Sequence, residues 1–229
     1  MISICIPTYD RTTLLFESIA HVIDDDRISE VVIVDDCSPI ETYNAIIEHY
    51  KGNNKVKIYR NENNLDCYRN KREAVSKATN EWVILLDSDN VIDKNYIDSL
   101  PLFLDKHVLF QPSFAKPHFD FRAYEGLEIG KENVSEYMCK AGFETMLNAM
   151  NYFVNRDEFL RVWDGSVDPV TSDSLFQNYN WLKSGNSIYV VPGMQYFHRV
   201  HNGSHYQNNV RRTPQGFHKS IVDKLKGMK

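Results

Sequence analysis

Trp82-Val83-Ile84-Leu85-Leu86-Asp87-Ser88-Asp89-Asn90 is an apolar run that stops abruptly at two carboxylates spaced i and i+2. That pattern reads as a buried strand carrying acid groups to its open end. Two carboxylates converging there repel each other, and an oxygen-bound divalent cation is the usual relief. Upstream, the same grammar recurs. Residues 2–6 read as a strand ending in Pro7-Thr8-Tyr9-Asp10, and the β-branched run 31–34 ends in Asp35-Asp36. Residues 56–59 supply a further strand. Helical spacing fills the gaps at 14–23 and 68–78. Ser38-Pro39-Ile40-Glu41 has the form of a capping box opening a helix with Ile40, Tyr43, Ile46, Ile47 and Tyr50 on one face.

Continuous apolar strands alternating with helices predict a mostly parallel α/β sheet covered on both faces. In such sheets ligands bind beyond the carboxyl ends of the strands. The endings Thr8-Tyr9-Asp10, Asp35-Asp36 and Asp87-Ser88-Asp89 are therefore expected along one rim. Beyond residue 105 the rhythm breaks. Residues 134–150 and 171–183 read as helices, and 152–155 and 188–191 as short strands.

With 229 residues, 42% apolar and 25% charged, the chain fits a single globular domain. A net charge of −5 gives no reason to expect nucleic acid as a partner. The end of the chain differs. Arg211, Arg212, Lys219, Lys224, Lys226 and Lys229 face only Asp223, a basic stretch suited to a phosphate-rich ligand or to peripheral contact with an anionic membrane. No run reaches the roughly 18–20 apolar residues of a membrane span. Cys5, Cys37, Cys67 and Cys139 lack zinc-site spacing and suit reduced thiols, so a cytoplasmic setting is expected. No glycine cluster follows a predicted strand, which excludes the Rossmann and Walker phosphate loops, and no serine hydrolase elbow is present.

Three motifs in order, Ile4-Cys5-Ile6-Pro7-Thr8-Tyr9-Asp10-Arg11, Val31-Val32-Ile33-Val34-Asp35-Asp36-Cys37-Ser38 and Ile84-Leu85-Leu86-Asp87-Ser88-Asp89-Asn90, resemble the signatures of family-2-like glycosyltransferases with the GT-A fold. Asn63-Asn64-Leu65-Asp66-Cys67-Tyr68-Arg69-Asn70 is similar to that family's asparagine-led loop. The resemblance implies an inverting, metal-dependent enzyme that moves a sugar from a nucleotide-sugar, a UDP-sugar for preference, to a hydroxyl on a glycan, lipid-linked or protein-linked acceptor. It also implies roles. Pro7, Thr8 and Tyr9 would border the base, with Tyr9 stacking on it, and Asp36 would bond the base imide, Asp35 being the fallback. Arg69 would meet the diphosphate. Asp89 would ligate Mn2+ or Mg2+, with Asp87 on the ribose or sugar.

Thr171-Ser172-Asp173-Ser174 looks like the family's paired-acid motif with Ser172 in place of the first acid, leaving Asp173 as candidate general base and Asp168 in reserve. An ordinary aspartate pKa of about 3.9 leaves such a base ionised at neutral pH. Asp in a first helical turn is also a routine dipole partner. Arg199-Val200-His201-Asn202-Gly203-Ser204 resembles a site-closing loop in which His201 would complete the metal site, with His198 and His205 as neighbours. On this reading residues 1–104 form a nucleotide-binding half, 105–210 an acceptor half with aromatic walls such as Phe119, and 211–229 a helical basic tail. Two alternatives compete: a HAD-type phosphohydrolase with Asp87 as nucleophile, and an inactive nucleotide-sugar or carbohydrate-binding module.

Overall fold

Alternation along the strands builds the core. Ile4 and Ile6, Val31 and Ile33, and Ile84 and Leu86 fill one face of the sheet, while Cys5, Val32, Val34, Val83 and Leu85 fill the other. All are fully buried, and each such aliphatic side chain contributes about 1.5–3 kcal/mol of transfer free energy. Both faces are apolar because helices cover both, the condition a parallel sheet requires.

The computed structural model describes residues 1–201, 203–204 and 209–229. The first half runs β1 (Ile2–Thr8), α1 (Thr12–Ile19), β2 (Ile28–Asp35), α2 (Ile40–His49), β3 (Val56–Arg60), α3 (Asp66–Lys77), β4 (Trp82–Leu85) and α4 (Lys94–Asp98). The second half adds β5 (Val108–Lys116), β6 (Phe119–Asp120), β7 (Glu128–Ile129), α5 (Val134–Tyr137), α6 (Phe143–Leu147), β8 (Phe153–Asn155), α7 (Arg156–Val162), α8 (Asp173–Lys183), β9 (Ser187–Phe197) and a last helix, Phe217–Lys226. One sheet spans both halves in the order β3-β2-β1-β4-β8-β5-β9-β7, with β6 on β5. Strands β3, β2, β1 and β4 are parallel, β8 runs antiparallel between β4 and β5, and β9 pairs parallel with β5. This is the expected α/β architecture.

Several local expectations fail for identifiable reasons. Ser38 makes no helix cap. Its hydroxyl donates to Asp35 and accepts the Asp10 amide at 2.8 Å, tying the ends of β1 and β2 together. Of the expected apolar face, Ile46 and the C-cap Tyr50 are buried, while Ile40 and Ile47 face solvent, the helix packing against edge strand β3 and α1. The helix expected at 134–150 is two short ones, interrupted before α6 by Gly142 at φ 78°. Strand β5 runs through Pro112, where its register with β9 shifts, and β9 extends far enough to deliver the residues that follow it to the rim. The last helix buries Ile221, Val222 and Leu225 against the core, so its apolar side is taken. Among the described residues no helix is long and apolar enough to cross a membrane.

Candidate active site

Two adjoining cavities open beyond the carboxyl ends of β1, β2 and β4. The first, about 610 Å³, is bordered by Pro7, Thr8, Tyr9, Asp36, Asp87 and His201. The second, about 550 Å³, holds Asp87, Asp89, Asp173 and Lys71. Arg11, Cys67 and Asp87 line both and mark the junction.

Each strand end contributes differently. Asp35 is fully buried and saturated: it takes the Ser38 amide at 3.1 Å, the Ser38 hydroxyl and Arg60 at 3.1 Å. Asp36 lies on the cavity side. Its Oδ1 accepts the Leu65 amide and the Asn61 side chain, each at 2.8 Å. Burial pushes its carboxyl above the usual range despite those bonds. The geometry thus separates the pair into an internal brace, Asp35, and a cavity acid, Asp36. Tyr9 is half exposed at the mouth, where a planar ring has room to stack.

At β4 the Asp87 amide donates to Asn151 Oδ1 at 2.7 Å, and the Tyr96 hydroxyl donates to the Asn151 carbonyl at 2.8 Å. Asn151 adopts φ 70° to do this. Asp10, Cys37, Asp66 and Val170 also have left-handed backbone, so four rim loops carry such strain in addition to Asn151. Strain of this kind persists only where surrounding bonds over-determine the chain, and it gathers at functional sites.

Lys71 is the centre of the second cavity. Its ammonium, almost fully buried, lies 2.7 Å from Asp173 Oδ2 and 3.1 Å from Asp87 Oδ1. Burial pulls that ammonium's pKa down, but the two carboxylates outweigh it and hold it well above the ordinary lysine value. Asp87 is raised, first by burial and then by Asp89 and Asp173, with Lys71 opposing. Cys67 donates weakly to Asp173 at 3.5 Å, and burial keeps its thiol protonated.

Asp89 Oδ2 receives Arg11 Nη1 at 2.8 Å and lies 3.1 Å from His201 Nε2. The carboxylate oxygen is a donor suited to Mn2+ or Mg2+. Among the described residues no group of three or more His, Cys, Asp or Glu could hold a metal. Asp89 and His201 set one carboxylate oxygen and one imidazole nitrogen side by side at the rim, two of the donors a cation would need. His198 lines the second cavity with its imidazole pushed down by burial and by His118. His205 lies outside the described residues. Asp168 lines neither cavity, and its carboxylate accepts the Val170 amide at 3.0 Å.

Sequence similarity bears on which chemistry this rim serves. The family model for glycosyl transferase family 2 matches residues 3–161, more than half the chain. The chain belongs to glycosyl transferase family 2.

Among relatives, it is similar to the poly(ribitol-phosphate) beta-N-acetylglucosaminyltransferase TarS of Staphylococcus aureus (strain Mu50 / ATCC 700699), 31% identical over 46% of this chain and 19% of that protein. Glycosyltransferase GlyG of Streptococcus pneumoniae serotype 4 is 26% identical over 44% of this chain and 34% of GlyG. The chain thus spans about a fifth to a third of the length of these relatives in the matched region. Its fold is shared with TarS residues 1–349 in complex with UDP-GlcNAc, at TM-score 0.69 and 20% identity over 90% of this chain and 60% of that one. The mannosyltransferase PcManGT of Pyrobaculum calidifontis, in complex with GDP-Man and Mn2+, gives 0.66 at 15% identity over 98% and 68%. The GT-A fold is thereby shown, and the phosphohydrolase alternative falls with it.

Within this family-2 domain Arg69 departs from the role expected of it: it is exposed and lines neither cavity. On α3 the residues Tyr68, Asn70, Lys71 and Ala74 turn inward, and the 3.6-residue period sends Arg69 out. Among the described residues Arg11, Lys71 and Arg199 line the cavities instead. Sequence reading also missed a hydrogen-bonded chain on the wall of the second cavity. His218 Nδ1 lies 2.9 Å from the Ser172 hydroxyl and Nε2 lies 2.7 Å from Glu144. Ser172 is buried, so this chain fixes an imidazole beside Asp173 and presents no free nucleophile. Phe119, expected as an acceptor wall, lines the second cavity, whereas the neighbouring Phe121 is in the core.

Proposed function

We propose that this domain is an inverting, metal-dependent glycosyltransferase that moves a sugar from a UDP-sugar to a hydroxyl of a glycan or other glycoconjugate. The observation that carries the reading is the junction. Asp173, in the second cavity, shares one buried ammonium with Asp87, which faces both cavities.

In this reading the first cavity takes the nucleotide. Tyr9 stacks on the base, Asp36 accepts the imide N–H through the carboxylate oxygen left by Leu65 and Asn61, and Pro7 and Thr8 border the ring. Asp87 turns to the ribose or sugar. A divalent cation held by Asp89 and His201 would supply Lewis-acid neutralisation of the departing diphosphate. Asp173 accepts the proton of the acceptor hydroxyl as its oxygen forms the bond to the anomeric carbon. The bond from that carbon to the diphosphate oxygen breaks on the opposite face, which inverts the centre. Lys71 orients Asp173 and prevents its charge from repelling Asp87.

The UDP preference is supported by TarS, whose structure is described with UDP-GlcNAc. The acceptor would occupy the second cavity, beside Phe119 and His198. Contact with an anionic membrane would rest on the exposed Arg211, Arg212, Lys219, Lys224, Lys226 and Lys229. The test is UDP release from UDP-sugars in Mn2+, with and without candidate acceptors. Asp173→Asn is expected to bind donor as the wild type does and to lose transfer by a factor on the order of 10²–10⁴. Normal turnover by that variant moves the base elsewhere, and absence of UDP release by the wild type with every donor favours an inactive binding module.

A further inference from the structure

Arg11 occupies the oxygen that a metal would need. Its Nη1 bonds Asp89 Oδ2 at 2.8 Å, and its Nη2 bonds the Gly203 carbonyl at 2.7 Å. It stands at the start of α1 and lines both cavities. The backbone at Asp89 is pinned, because its carbonyl accepts Arg199, itself anchored to Glu17 and to the Leu14 carbonyl at 2.6 Å. Freeing the carboxylate oxygen for a cation requires breaking the Arg11 bond.

Charge decides when it moves. A dication entering between Asp89 and His201 would meet a guanidinium within hydrogen-bonding distance of the same oxygen and be repelled. A diphosphate in the first cavity offers that guanidinium a better partner, since two phosphate oxygens match its planar fork bidentately. Arg11 would then leave Asp89 and expose the oxygen to the metal.

We infer that Arg11 caps the metal ligand in the free enzyme and transfers to the donor's diphosphate, so that the cation loads with or after the nucleotide and not before it. This rests on the metal-dependent reading above and adds an order of binding to it.

Equilibrium binding tests the inference without turnover. Mn2+ uptake is followed by the electron paramagnetic resonance of free Mn2+, with and without UDP, and UDP binding in EDTA by calorimetry. Arg11→Met is expected to tighten binding of Mn2+ alone by about fivefold or more, the scale of one partly exposed ion pair, and to weaken UDP in EDTA by a similar factor. Opposite signs for the two ligands are something a merely structural arginine would not give. Arg11→Lys, which keeps the charge, is expected to lie between and serves if Arg11→Met does not fold. The inference is overturned if the neutral variant leaves Mn2+-alone affinity unchanged or weaker, if UDP binding is unaffected, or if the wild type takes up Mn2+ alone as tightly as with UDP. A wild type that binds UDP with Mn2+ while the variant fails these criteria sinks the inference only. A wild type that binds neither ligand removes the functional reading as well.

Discussion

Replacing Lys71 by methionine keeps most of the side-chain volume and deletes one buried ammonium. Asp173 loses a contact at 2.7 Å and Asp87 one at 3.1 Å. Removing one partner of a buried ion pair typically costs about 3–5 kcal/mol, because the other charge stays behind without compensation. Here two carboxylates lose that ammonium, but the Asp87 side chain is 27% exposed, so cavity water offsets part of the loss. We expect a loss of about 3 kcal/mol near neutral pH, equivalent to a midpoint lowered by roughly 6–12 °C for a chain of this size.

The pH dependence fixes the sign. The folded-state pKa of Lys71 lies well above its ordinary value of 10.5, so its stabilisation is fully present below 10.5 and is lost as pH rises through the folded value. In the methionine variant the penalty belongs to ionised carboxylates. It is present above the ordinary aspartate value of about 3.9 and shrinks as protonation relieves the repulsion. Urea unfolding at neutral and at mildly acidic pH should therefore show a gap between wild type and variant that narrows in acid. Adding Asp173→Asn to Lys71→Met should recover part of the lost stability, because the repulsion between Asp173 and Asp87 is gone. A variant within about 1 kcal/mol of wild type at neutral pH, or a double variant that recovers nothing, would refute the argument.

Two further outcomes follow from the same geometry. Asp89→Ala should abolish Mn2+-dependent strengthening of UDP binding, measured by calorimetry; tight UDP binding that still depends on Mn2+ would remove Asp89 from the metal site. Away from the cavities, Arg161, with help from Asn186, holds Glu158 at about 2 against its usual 4.5. Because that pKa is depressed, its contribution is present above pH 4.5 and is lost as pH falls toward 2. Discounted for the water around the exposed Arg161, it amounts to about 2 kcal/mol. Urea unfolding of Glu158→Gln should show a deficit of that size at neutral pH that closes in acid, and a deficit independent of pH would contradict the assignment.

Short-range pattern carried far. Continuous apolar runs in residues 2–6, 31–34 and 82–86, with polar residues at each strand end, were enough to place Tyr9, Asp36 and Asp87 on one rim. A parallel sheet leaves its strand ends nowhere else to go. Of the two acids at 35 and 36, the family resemblance put Asp36 ahead and kept Asp35 as the fallback. The physical difference between them came with tertiary structure, in which Ser38 and Arg60 enclose Asp35 and leave Asp36 on the cavity. Ser38 itself read as a helix cap because a local motif is silent about a better partner, here the Asp10 amide 28 residues away.

The sequence by itself determined the fold class, the strand-end motifs and most of the residues that line the two cavities, because each is a local property of a strand, a helix turn or a short loop. Tertiary structure alone decided which cation serves the rim. Arg69, Lys71 and Arg11 are all basic residues near the motifs, and composition does not rank them. The helical phase of α3 turns Arg69 outward and Lys71 inward, and the packing of the second half against α3 brings Asp173, 102 residues away, onto that ammonium. The return of β9 then sets His201 beside Asp89, 112 residues earlier in the chain, with Arg11 between the two loops. A charge pair made across such separations exists only after the sheet has closed, since its energy depends on distance and burial that no local pattern encodes.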